Sequence, residues 1–120
     1  MTKEEKIIEG NAKIAEFMGI KVLPAGYISR NLENNEKQAD DLKYHSSWNW
    51  LMQVVEKIEN IKNESEGFLF CFGIGRDFCV IKHNTITQDH ISVYSEHNSK
   101  ILSVFACIVR FIDWYNSQQK

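Results

Sequence analysis

Gly67-Phe68-Leu69-Phe70-Cys71-Phe72-Gly73-Ile74-Gly75-Arg76-Asp77-Phe78-Cys79-Val80-Ile81-Lys82-His83 is the stretch on which the fold turns. Before it, apolar residues recur at helical spacing; from Phe68 they come in short runs punctuated by glycine, the pattern of strands. Phe68–Phe72, Phe78–His83 and, further on, Ile86–Tyr94 read as three strands, joined through Gly73–Asp77 and through His83-Asn84-Thr85. Joins this short return the chain antiparallel, which makes a meander. With Phe72 opposite Phe78, Cys71 and Cys79 become direct cross-strand neighbours. Phe68–Phe72 is apolar on both sides of the strand, so both faces of the sheet are expected to be covered.

Working outward, the segments on either side read as helices. Near the start, Thr2 followed by Glu5 fits a capping box, and Ile7, Ile8, Ile14, Ala15 and Met18, with Asn11 among them, form one apolar face that Gly19 ends. Ile20–Leu23 and Tyr27–Ser29 read as a small hairpin about Pro24-Ala25-Gly26. Residues 29–43 then form a polar loop, with Leu32, Ala39 and Leu42 as its clearly apolar members and nearly cancelling charges. A second helix runs from about Ser47 to Lys62, capped by Ser46 or Ser47, with Trp48, Leu51, Met52, Val55 and Ile58 on one stripe and Trp50, Val54 and Ile61 widening it. The last helix runs from Asn98 or Ser99 to about Asn116 on Ile101, Phe105, Ile108, Ile112 and Tyr115. The predicted order is αββαβββα. Residues 1–120 form a single α+β domain, with a mostly antiparallel sheet packed by helices in an α-β-α sandwich-like arrangement. In that layout Trp48, Val55, Phe105 and Ile112 are buried against the sheet.

Composition agrees. The chain has 120 residues, 43% hydrophobic and 25% charged, with a formal charge of -2, and a chain of this size buries roughly two-thirds of its unfolded surface. A pI near 6.1 argues against a generally basic nucleic-acid binder. The charged Met1–Lys6 is not a secretory leader, and no apolar run approaches the ~20 residues of a membrane span, so no membrane role is expected. Three cysteines, an odd number among apolar neighbours, point to a reducing cytoplasm.

Three segments carry a family resemblance. They are Asn11-Ala12-Lys13-Ile14-Ala15-Glu16-Phe17-Met18-Gly19, Tyr44-His45-Ser46-Ser47-Trp48-Asn49-Trp50-Leu51-Met52 continuing through Val54-Val55-Glu56-Lys57-Ile58-Glu59, and Val109-Arg110-Phe111-Ile112-Asp113-Trp114-Tyr115-Asn116. Together they resemble a family of small uncharacterised proteins of bacteriophages and integrated elements, the phage α-β-α sandwich domain. The resemblance implies that architecture and a phage or mobile-element origin. The family has no assigned activity, cofactor or catalytic residue, so no site is carried over.

Motifs for chemistry are sparse. Gly73-Ile74-Gly75-Arg76-Asp77 lacks the third glycine and the following helix of a dinucleotide loop, and reads as a hairpin turn. Cys71 and Cys79 have no second pair with which to hold a metal, and read as core residues. His45, His83, His90 and Asp89 could form an acid–base or metal site only by converging, and His97 adds a fourth imidazole. Ser46 and Ser47 beside His45 are explained by capping. No nucleophile elbow, zinc helix, phosphate loop or paired-carboxylate signature is present, and neither a cofactor nor a metal is expected.

The aromatics are the informative excess. Trp48 and Trp50 stand about 200° apart on a helical wheel, so they cannot both face one layer. Trp50, Trp114 and Tyr44, near the 29–43 loop, are therefore the candidate interaction surface. The leading reading is a non-enzymatic accessory or protein-interaction module of phage or mobile-element origin, acting on an unknown protein partner, with self-association as one form of that contact. A nucleic-acid-associated factor is the first alternative, though nucleic acid is not favoured. A small enzyme using His45, His83, His90 and Asp89 is the second.

Overall fold

Local signals set the helix ends. The computed structural model describes residues 2–23, 36–38, 42–63, 67–68, 70–83 and 92–118. Helix α1 spans Lys3–Phe17; Thr2 Oγ1 accepts the Glu5 N–H at 3.1 Å, relieving one of the free donors of its first turn. Gly19, at φ +78°, ends it in a Schellman arrangement: Ile20 N–H donates to Ala15 O and Gly19 N–H to Glu16 O, at 2.8 and 3.0 Å. Helix α2 spans Trp48–Glu59, capped by Ser47, whose hydroxyl accepts from Trp50 N–H. Helix α3 spans Lys100–Gln118. At its start Ser103, fully buried, donates to Ser99 O at 2.9 Å and accepts from His97 N–H at 3.1 Å, tying the helix to the chain that enters it.

The strands β1 (Lys21–Leu23) and β2 (Glu36–Gln38) pair in parallel, Lys21 opposite Glu36. The second arm of the expected hairpin, Tyr27–Ser29, lies outside the described residues. Part of the 29–43 segment is therefore strand, a role that Glu36-Lys37-Gln38 does not announce because it has no apolar alternation. Two-residue strands β3 (Lys62–Asn63) and β4 (Gly67–Phe68) pair antiparallel. The main sheet holds β5 (Phe70–Ile74), β6 (Phe78–His83) and β7 (Ser92–Glu96), antiparallel in that order. The α+β class and the antiparallel meander are as read from the sequence; residues 86–91 of the expected third strand lie outside the described residues.

Register departs from expectation. Ile74 pairs with Cys79 and Cys71 with Lys82, so the turn sits later and Phe72 faces Ile81, not Phe78. The slip is by an odd number of residues, which puts Cys71 and Cys79 on opposite faces. Cys79 is buried and Cys71 exposed, and all three thiols are free. Burial decides the register: the face bearing Cys79, Ile81, Val93 and Ser95 is closed by α3, whose Cys107, Ile108 and Phe111 are fully buried. The Cys107 thiol donates to Val93 O at 3.3 Å, and the neighbouring Cys79 sulfur, with burial, keeps it protonated well above the ordinary thiol range. The opposite face is open along Cys71, Lys82 and Tyr94, with Phe78 and Tyr94 stacked at 6.0 Å, so the cover expected on both faces does not extend here.

One core joins the sheet to all three helices, through Ile14, Leu51, Ile58, Phe70, Ile81 and Phe111. Val55, Phe105 and Ile112 are buried as expected, but Trp48 is 40% exposed. The buried stripe of α2 is Leu51, Val54, Val55 and Ile58, and Trp48 and Trp50 lie on its opposite shoulders. Trp50's shoulder is closed by the Tyr44 ring, edge-on at 5.1 Å. Among the described residues no helix is long and apolar enough to cross a membrane.

Candidate functional site

Tyr44, Trp50 and Trp114 do not make one exposed surface. Tyr44 is 3% exposed, and Trp50 and Trp114 are half-buried against the core. Trp114 packs in a ring cluster with Phe70 and Phe111, at 6.0 and 5.9 Å. The most exposed tryptophan is Trp48.

His45 is held in place. Asn11, buried in α1, accepts the Tyr44 N–H through Oδ1 at 3.0 Å, so its amide nitrogen is the end that meets His45 Nδ1 at 2.9 Å. An amide nitrogen only donates, so Nδ1 must be the bare, accepting nitrogen and the ring neutral. Burial pushes the same way, lowering the imidazole's affinity for a proton. Edge contact with Phe105 at 6.2 Å completes the pocket around the ring. Of its proposed companions, His83 closes β6 opposite Phe70, while Asp89 and His90 lie outside the described residues. Among the described residues no three His, Cys, Asp or Glu groups gather closely enough to hold a metal ion.

The concavity with most chemical character lies between α1 and α3. Contacts pair the two helices in ascending order: Gly10 with Phe105 and Val109, Lys13 with Asp113, Phe17 with Tyr115. The helices therefore lie side by side in the same direction. Gly10 makes the approach feasible, because a Cβ there would come within 2.7 Å of Phe105 Cζ and 3.1 Å of Val109 Cγ2. Beside this contact the surface opens into a groove of about 540 Å³. Its floor is apolar: Ile7, Leu102, Phe105, Ala106 and Val109.

Its rim is cationic. Lys3, Lys6, Lys13 and Arg110 face one carboxylate, Glu9, and His97 stands at one end. Lys13 is engaged with Asp113 at 3.0 Å and Glu9 at 3.3 Å, and the Asp113 hydrogen bond foremost holds its ammonium charged beyond the ordinary lysine range. Arg110 donates through Nη1 to Tyr94 O at 2.8 Å. Lys3 and Lys6 make no ion pair among the described residues. A chain of net charge -2 thus concentrates positive charge around an apolar trough. No motif announces this, because the two walls come from opposite ends of the chain. The signal in hindsight is a pair of small residues, Gly10 and Ala106, each within an otherwise bulky helical face. The chain matches no family model, no curated protein and no solved structure.

Proposed function

We propose that this chain is a non-enzymatic protein-interaction module that engages its partner through the α1–α3 groove. The observation that carries the reading is the pairing of an apolar floor with a rim of four cations against one carboxylate. Preformed concave sites with mostly apolar linings and a few placed polar groups are where ligands bind. The other described cations, including Lys21, Lys43, Lys57, Arg76 and Lys82, are scattered over separate elements, which supports a protein over a nucleic acid. His45 spends its Nδ1 on Asn11, which favours a structural role for it over an acid–base one. Three free thiols, two of them buried, support a reducing cytoplasm as the setting. The resemblance over residues 11–19, 44–59 and 109–116 supports a phage or mobile-element origin.

The test is a titration of ¹⁵N-labelled protein with 8-anilinonaphthalene-1-sulfonate, an apolar ring system bearing one anion. Saturable amide shifts along residues 6–13 and 102–110 are expected. Shifts centred on Phe78 and Tyr94 of the open sheet face, or no saturation, would put the contact elsewhere.

A further inference from the structure

We infer that the occupant of the groove is an acidic amphipathic helix of a partner protein, laid alongside α1 and α3. The inference rests on the groove being the contact surface and adds what fills it. Shape is the first argument. On α1 the lining residues are Lys3, Lys6, Ile7, Glu9, Gly10 and Lys13, and on α3 Leu102, Phe105, Ala106, Val109 and Arg110. Both sets follow helical spacing, so the trough runs along the two axes for about 15 Å, close to three turns. A rod of similar length, with apolar residues at i, i+3, i+4 and i+7, matches such a trough.

Charge placement is the second argument, and it discriminates. A small anion with one head group needs cations that converge on one point. Here they are spread: Lys3 and Lys6 towards one end, Lys13 and Arg110 towards the other. Lys3 and Lys6 have no carboxylate of their own among the described residues, and Arg110 has spent one donor on a carbonyl, leaving the rest of its fork. A ligand complementary to this rim carries carboxylates at intervals along its length, flanking an apolar stripe. An acidic helix does so by construction.

Fluorescence anisotropy with the whole chain tests this. The probe is a fluorescein-labelled peptide of about four turns, leucine at i, i+3, i+4 and i+7 and glutamate elsewhere. Controls are a peptide of the same composition with scrambled leucines and the naphthalene sulfonate. Expected results are saturable binding that weakens with salt, a roughly tenfold loss in Lys3→Glu/Lys6→Glu, and loss of binding in Ala106→Trp. Circular dichroism establishes that each variant is folded, and the lysine pair lies on exposed positions that folding does not need. Equal binding of the scrambled peptide would overturn the helix. Sulfonate shifts in the groove without peptide binding would leave the groove standing and remove the acidic helix. Failure of both probes removes both proposals. A dimer in light scattering that Ala106→Trp dissolves would give the groove to a second copy instead.

Discussion

Helix α3 has two flanks, and they are built on opposite plans. Towards the sheet it presents Cys107, Ile108 and Phe111, all fully buried, against Cys79, Ile81 and Phe70. Among the described residues no buried side-chain nitrogen or oxygen lacks a partner, and even the Cys107 thiol finds Val93 O. Towards α1 a missing side chain at Gly10 draws the two backbones together, and a small one at Ala106 leaves room beside them. One flank is closed by complementarity; the other is opened by subtraction. An apolar surplus on a helix is thus not by itself evidence of core. What separates core from site is whether the opposing element supplies volume, and here α1 supplies cations instead.

Three measurements would break or sharpen this contrast. The largest effect belongs to the closed flank. Phe111→Ala removes a ring that meets Phe70, Trp114 and Tyr115, and should cost about 3–5 kcal/mol in guanidinium unfolding. A loss below about 1 kcal/mol would mean that this flank is no better packed than the other. Next is the hinge of the open flank. Gly10→Ala gains helix propensity but drives a methyl into Phe105 and Val109, for a net loss of about 1 kcal/mol. A rise in melting temperature would show that α1 can back away freely.

The smallest effect is a pH dependence at His45, which stands where α1 meets the 42–45 turn. Its folded-state pKa lies below the ordinary 6.5, so the unfolded chain takes up the proton first as the solution is acidified. Its contribution is complete above 6.5 and is lost as pH falls from there towards the lowered folded value. The urea midpoint should drop between pH 7.5 and 5.5 by more in the wild type than in His45→Gln. Identical slopes would assign the pH response to other groups.

What was legible in the sequence follows from how local each cause is. Thr2, Gly19 and Ser47 act within one helical turn, so the helix ends could be read directly. The meander could be read too, since short joins admit one direction. Register could not. Glycines at 73 and 75 permit the turn at more than one place, and the choice is made by α3, which buries Cys79 and Ile81. The parallel pairing of β2 was hidden by its polarity. Tyr44 looked like a surface aromatic until Asn11 drew its backbone inward. The groove was least visible, because lysines on a helix read as a solvated face until a second helix lies beside them.

Arg110 has a consequence beyond affinity. Its Nη1–H is donated to the Tyr94 carbonyl on β7, the strand that ends the described order of the main sheet. Outer strands with bare carbonyls template the strands of other chains, and natural sheets blunt them with charged side chains. The guanidinium does this from a neighbouring helix, stoppering one acceptor in the ladder against edge-to-edge growth. It also rims the groove, and its five donors in a rigid fork let it keep the carbonyl while turning the remainder to a carboxylate. A lysine at 110 would face a choice between the edge carbonyl and the groove rim. An arginine does not, so the Tyr94 carbonyl stays capped whatever the rest of the guanidinium meets along the rim.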